Sequence, residues 1–225
     1  MKILVMDTAF RTGRIGLCID GRMTAEMNVE EGKLESRTFV LLMKIGIKPD
    51  LADIDLIALA GGPGSFTGLK IGAMVAKSLS FLQGTPFKGT GTLPWLSAAG
   101  GRGILLPVIK SHADRYYWGM YDVKGDGGSV QAPSEIIPPK CTNAEKMVDI
   151  IRASDVPEPD GAILFSGDPT EPDLPWPKRK VNLPLAVLAE LARIAFESEG
   201  PDDPLNYTPM YVARSQAEEK AEGKS

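Results

Sequence analysis

Residues 60–81, AGGPGSFTGLKIGAMVAKSLSF, decide how the chain is read. Glycines, hydroxyls and a lysine lead into a helical run, which raises the question of a phosphate cradle. A Walker loop needs G-x-x-x-x-G-K followed by Ser or Thr, so that lysine and hydroxyl reach phosphate and magnesium together. Here Leu69 follows Gly68, and no hydroxyl follows Lys70. The dinucleotide fingerprint G-x-G-x-x-G fails too, because after Gly62 and Gly64 the next glycine, Gly68, comes one residue late. A glycine-rich turn at a helix start can still attract an anion.

A structural account covers more of the stretch. Pro63 fixes a turn, Gly62 and Gly64 permit unusual backbone angles, and Ser65 or Thr67 serves as N-cap. Gly68, Gly72, Ala76 and Ser80 then recur every fourth residue, laying small side chains along one face. Such a strip admits another backbone closely. It serves packing within the same lobe or a partner interface equally well. Leu69, Met74, Val75 and Leu79 fill the other apolar faces, and only Lys70, Lys77 and Ser78 are clearly polar. If the strip is an interface, Gly72→Glu or Ala76→Arg breaks a complex and leaves the fold intact.

Upstream, KILVMDT, RIGLCID and RMTAEMNVE read as strands of an antiparallel start, with Asp20 and Gly21 turning between the last two. ESRTFVLLMKIGI places Phe39, Leu42, Met43 and Gly46 at helical spacing, and DLIALA is a strand buried on both faces. Downstream come a strand at PFKGTGT and a short helix at LPWLSAAG. Gly100, Gly101 and Gly103 then mark a lobe boundary. The second half offers strands at GILLPVIKS, RYYWGMYDVKG, SEIIP and GAILFSG, and a helix over NAEKMVDIIRAS. The proline-studded DPTEPDLPWPKRK reads as an extended surface loop, LPLAVLAELARIAFESEG as the clearest helix, and the charged end as frayed.

With 225 residues, 43% hydrophobic and 24% charged, the chain has the balance of an ordinary globular protein. A net charge of −4 argues against an independent nucleic-acid binder, since phosphate affinity comes from clustered Lys and Arg. Cys18 and Cys141 form no CxxC and share the chain with one histidine, His112, which indicates neither a disulfide framework nor a metal site. No nucleophile–base pair emerges. The apolar run at the N-terminus is broken by Asp7 and is too short for a signal-peptide core or membrane span, so a cytoplasmic location without a membrane is expected.

MKILVMDTA with GRIGLCIDG, then DIDLIALAGGPGSFTGLKIGAMVAKSLSF, then TPMYVARSQAEE resemble the TsaB (YeaZ) family in order and spacing, most specifically at GPGSFTGLKIG. The resemblance implies an α/β fold with two lobes of the ribonuclease-H type, as in the actin, sugar-kinase and Hsp70 ATPase superfamily. Residues 1–100 would form the N-terminal lobe, 101–215 a smaller C-terminal lobe, and 216–225 the frayed tail.

The resemblance further implies a non-catalytic scaffold in synthesis of N6-threonylcarbamoyladenosine on tRNA, with no cofactor or metal of its own. Its partners would be a TsaD-like paralogue that carries the chemistry, a TsaE-like ATPase, and tRNA through the complex; alone, the chain would form a homodimer. The partner face would comprise Phe39, Leu42 and Met43 from the first helix and Thr67, Gly68, Lys70, Ile71, Gly72, Val75, Ala76 and Leu79 from the second. Asp7 lies where superfamily ATPases hold Mg-bound phosphate. Asp7, Thr8, Gly62, Gly64 and Ser65 are therefore the candidate nucleotide or anion contacts, and a nucleotide at the complex interface is compatible with them. The alternative is an independent ATPase or phosphotransferase using Asp7 and this loop. Two departures stand out: GKLESRT replaces the family's His-Ser-Glu run, and KSHADRYY replaces a stretch that in relatives reads like DARRGEVY.

Overall fold

In the computed structural model, the described residues are 1–29, 40–48, 50–125, 129–167 and 171–213. The chain opens with β1 (Lys2–Asp7), β2 (Gly13–Ile19) and β3 (Arg22–Val29), an antiparallel meander whose second turn is Asp20-Gly21. After a short helical stretch at 40–44 come β4 (Leu56–Ala60), α1 (Phe66–Gln83) and β5 (Phe87–Thr90). β1, β4 and β5 run parallel, giving a five-stranded sheet in the order β3-β2-β1-β4-β5. Both faces of its centre are covered, so β1 and β4 are nearly continuous apolar runs. Ile3, Val5, Leu56 and Ala58 point to one side, and Leu4, Met6, Ile57 and Leu59 to the other.

α2 (Thr92–Gly100) leads to a second five-stranded sheet of β6 (Gly103–Lys110), β7 (Tyr116–Val123), β8 (Ser134–Thr142), β9 (Gly161–Phe165) and β10 (Lys178–Val181), ordered β10-β9-β6-β7-β8. Its outer face carries α3 (Ala144–Ala153), N-capped by Asn143 and packed through Met147 and Ile151. α4 (Leu185–Glu199) completes the chain's helices among the described residues. α2 and α4 lie between the sheets: Trp95 and Leu96 from the first and Leu185, Leu188 and Ala192 from the second share one core with Val5, Ala58, Leu105, Tyr121 and Ile163. Burying side chains of this size stabilises by about 1.5–3 kcal/mol each.

Three expectations need correction. First, the two sheets divide near residue 100, but residues 101–215 are not one smaller lobe. α4 packs on β1, β4 and β5, so the chain after Leu183 returns to the first sheet and covers its inner face. Second, DPTEPDLPWPKRK is not merely surface loop. Leu174 and Trp176 are buried in the second sheet's outer core, and Lys178–Val181 pairs with β9 as an edge strand, where a preceding proline costs no ladder bond. Third, the chain end is anchored as far as Tyr211. Tyr207 stands edge-on to Phe87 with ring centroids 5.0 Å apart, and Asp202 accepts from Lys88 at 3.0 Å and from the Gly89 N–H at 2.8 Å. Residues 216–225 lie outside the described residues.

Candidate functional site

α1 starts because Ser65 caps it: its hydroxyl oxygen accepts from the Gly68 N–H at 3.2 Å while its carbonyl takes the Leu69 N–H at 2.8 Å. It ends where the Gly84 N–H bonds the Ser80 carbonyl. The small-residue strip faces inward, toward the chain's own first sheet. A Cβ on Gly68 would collide with the Thr8 carbonyl oxygen, and one on Gly72 with the Thr8 hydroxyl and, at 3.2 Å, with Leu59. Val75, Ala76 and Leu79 are buried in the same cluster as Leu42. The strip therefore seats α1 on β1 and β4. Gly68, Gly72, Val75, Ala76, Leu79 and Leu42 belong to the chain's own packing rather than to an open face, and Gly72→Glu or Ala76→Arg is a folding variant.

What α1 turns to solvent is a different row. Thr67, Lys70, Met74, Ser78 and Phe81 are exposed, at successive spacings of three, four, four and three residues, which is one helix face. Met74, expected as filling, is 54% exposed and Phe81 65%. Ile71 is half-buried beside this row, and Lys70 reaches over the Phe66 ring at 4.2 Å. The stretch 40–44 joins the same core through Leu41 and Leu42 and leaves Val40 and Met43 outside, Met43 at 57%. Phe39 lies outside the described residues.

The glycine loop is packed rather than open. A Cβ on Gly62 would stand 2.6 Å from the Met210 carbonyl, and one on Gly64 would strike the Ala9 carbonyl. The Ser65 N–H is spent on Ala9 at 2.8 Å and the Gly61 N–H on Thr90 at 2.7 Å. Asp7 is fully buried at the end of β1. Its Oδ2 accepts from Arg14 Nη2 at 2.8 Å and Nε at 3.2 Å, and its Oδ1 from the Ala9 N–H at 3.0 Å. Burial pushes the Asp7 carboxyl up from its usual value, against the opposing pull of the Arg14 guanidinium. Arg14 also donates to the Leu183 carbonyl at 2.7 Å and lies 5.4 Å from the Trp95 ring, tying β2 to the return segment before α4. The Thr8 hydroxyl is buried against Gly72 without a hydrogen-bond partner.

This donor set does not fit a Mg-nucleotide. The carboxylate that would serve the metal is engaged by an internal cation, and the loop's glycines make room for Ala9 and Met210. Sequence reading missed Arg14, because β2 registers it opposite Asp7 only once the meander has formed. It likewise missed Met210. His112 sits in the β6–β7 turn with the Ser111 hydroxyl 3.2 Å from its Nδ1. Among the described residues, no three His, Cys, Asp or Glu side chains gather as a metal set, and no helix is long and apolar enough to cross a membrane.

Two sheets sharing a helical layer make this a two-lobed α/β protein of the actin, sugar-kinase and Hsp70 type. YeaZ from Pseudomonas aeruginosa superposes with a TM-score of 0.69 at 20% identity, covering 93% of this chain and 99% of that one. A ROK family protein from Streptococcus pneumoniae does so at 0.51 and 9% identity, covering 88% and 99%. The family model described as "TsaD: tRNA N6-adenosine threonylcarbamoyltransferase" matches residues 38–171. The chain is 28% identical over 175 residues to the tRNA threonylcarbamoyladenosine biosynthesis protein TsaB of Bacillus subtilis (strain 168), covering 76% of this chain and 72% of that protein. It is 29% identical over 133 residues to the same-named protein of Escherichia coli (strain K12), covering 56% of this chain and 58% of the relative. The chain belongs to the TsaD family of that model, and within it to the TsaB (YeaZ) proteins.

Proposed function

We propose that this chain is a non-catalytic, cytoplasmic scaffold subunit in the formation of N6-threonylcarbamoyladenosine on tRNA. It docks a TsaD-like paralogue, which transfers the threonylcarbamoyl group to the adenosine 3′ of the anticodon. A TsaE-like ATPase and the tRNA join through that paralogue, and in its absence the chain self-associates through the same face. The observation that carries this reading is the outward row of α1, in which Met74 and Phe81 stand exposed, with Met43 exposed on the stretch that packs against the same core through Leu41 and Leu42. Apolar side chains gathered in this way on a helix face mark interaction sites. An independent phosphotransferase fits poorly, because Arg14 engages Asp7 and the loop is filled from within.

Reconstitution tests the proposal. Modified tRNA should form when the chain is combined with its cognate TsaD-family and TsaE-like proteins, threonylcarbamoyl donor and tRNA, and should be lost when the chain alone is omitted. Undiminished product without it, or transfer by the isolated chain, would refute the scaffold role.

A further inference from the structure

The stretch 40–44 flanks α1 on one side, and a second segment, 201–211, flanks it on another. Lys77 Nζ donates to the Tyr207 carbonyl at 3.0 Å and the Leu205 carbonyl at 3.4 Å, and the Tyr211 ring packs on Phe66 with centroids 5.0 Å apart. The segment thus runs antiparallel to α1, held by its backbone, by Asp202 and Tyr207, by the buried Pro209 and by the Tyr211 ring, while Leu205 and Met210 are turned outward. Leu205 is 71% exposed, and Met210 and Tyr211 are exposed beside it. Together with Val40, Met43, Met74, Phe81 and Leu82, these complete the exposed large hydrophobic residues among the described ones. Every such residue lies on α1 or on these two flanks, although the described chain exposes surface on all sides.

The same surface has a distinct charge. Between Asp55 and Asp114 the sequence holds no Asp or Glu, in a chain with 29 of them and a net charge of −4. α1 therefore carries Lys70 and Lys77 without a carboxylate, and Lys44 is exposed nearby. The carboxylates of the flanking segment are turned to internal partners: Asp202 to Lys88, and Asp203 to the Leu205 N–H and Asn206.

We infer that residues 204–211 form a second wall of the docking surface, and that its occupant is a different protein presenting an apolar surface edged by carboxylates. The inference rests on the docking reading above and takes the TsaD-like paralogue as that occupant. A second copy of this chain would bring Lys70 and Lys44 to the contact again and no carboxylate from α1 to meet them, whereas an acid-edged apolar surface satisfies them.

The test measures binding of the full-length chain to its cognate TsaD-family protein and its self-association by sedimentation, for wild type, Met74→Glu, Leu205→Glu, Leu205→Ala and Lys70→Glu, with thermal melts of each. Leu205 contributes only its backbone to the contact with Lys77, so its variants should melt as wild type does. Leu205→Glu and Met74→Glu should each raise Kd about tenfold or more, and Leu205→Ala should raise it by a smaller factor. The loss in Lys70→Glu should shrink as salt screens the charges. Wild-type affinity in both Leu205 variants, with Met74→Glu impaired, would overturn the second wall and leave the docking reading standing. Wild-type affinity in Met74→Glu as well would remove that reading too. If the Leu205 variants lose self-association and not partner affinity, the wall belongs to a second copy and the proposal fails.

Discussion

Gly68 and Gly72 set how closely α1 approaches β1, and they differ in what a methyl group would meet. At Gly68 the obstacle is the Thr8 carbonyl, a backbone atom that cannot rotate away; at Gly72 the nearest atom belongs to the Thr8 side chain. Overpacking costs about 1–3 kcal/mol, and a helical Gly→Ala change returns roughly 1 kcal/mol of backbone propensity. Gly68→Ala should therefore destabilise by about 2 kcal/mol and Gly72→Ala by a smaller amount, about 1 kcal/mol, because Thr8 and Leu59 are buried but are side chains that can shift, as read from the midpoints of urea unfolding curves. Gly72→Glu places a charge in the first sheet's outer core, so it should show a broadened or absent unfolding transition, and any loss of partner binding should coincide with that. The sequence showed the small-residue rhythm; it could not show which surface the rhythm fits, because Thr8 and Gly72 meet only through the fold.

At the level of elements, the segment 201–211 couples the chain end to the glycine loop and α1. Burial, with the Asp202 carboxylate nearby, pushes the Tyr207 phenol well above its usual value. The folded state thus resists ionising Tyr207 while the unfolded chain does not. A group whose folded pKa is raised contributes its full stability below the unfolded pKa, about 10 for tyrosine, and loses it as pH rises through the folded value. Lys88 acts in the same direction. Burial tends to lower its pKa, but Glu199 and Asp202 outweigh that and hold it above the ordinary lysine value, so its contribution also fades in strong alkali. Tm should fall above about pH 10, and Tyr207→Phe, which keeps the ring against Phe87, should flatten that fall. An unchanged alkaline profile in the variant would place the dependence elsewhere.

For the whole molecule, the return of α4 to the first sheet matters most. Residues 1–100 look like a lobe by sequence, but the inner faces of β1, β4 and β5 are covered by Leu185, Leu188, Ala189 and Ala192. A fragment of residues 1–100 should therefore fail to fold, giving poor amide dispersion by NMR and no cooperative melt. The full chain should unfold in a single transition, because α2 and α4 belong to the cores of both sheets at once. Two separated calorimetric peaks would show that the lobes are energetically independent. The Phe10–Phe165 contact, with centroids at 4.3 Å, adds a further tie between the lobes.

The sequence by itself determined most of the elements, β10 excepted, and carried the family resemblance. Apolar alternation, turn residues and caps are local or nearly local properties, so the meander, the α1 helix with Ser65 or Thr67 as its cap, and the α3 helix could be read directly, while the structure selects Ser65 and Asn143 as the caps. The motif GPGSFTGLKIG carried the resemblance. Only the tertiary structure decided what those elements face. Hydrophobic periodicity says that a helix has an inner side, but not which neighbour supplies it, so the strip from Gly68 to Ser80 could serve the lobe or a partner until Thr8 was found against it. The outward row of Met74 and Phe81, the Arg14 guanidinium on Asp7, and the chain end along α1 all join residues far apart in sequence. Contacts of that kind depend on the packing of the whole chain, and no window of residues contains them.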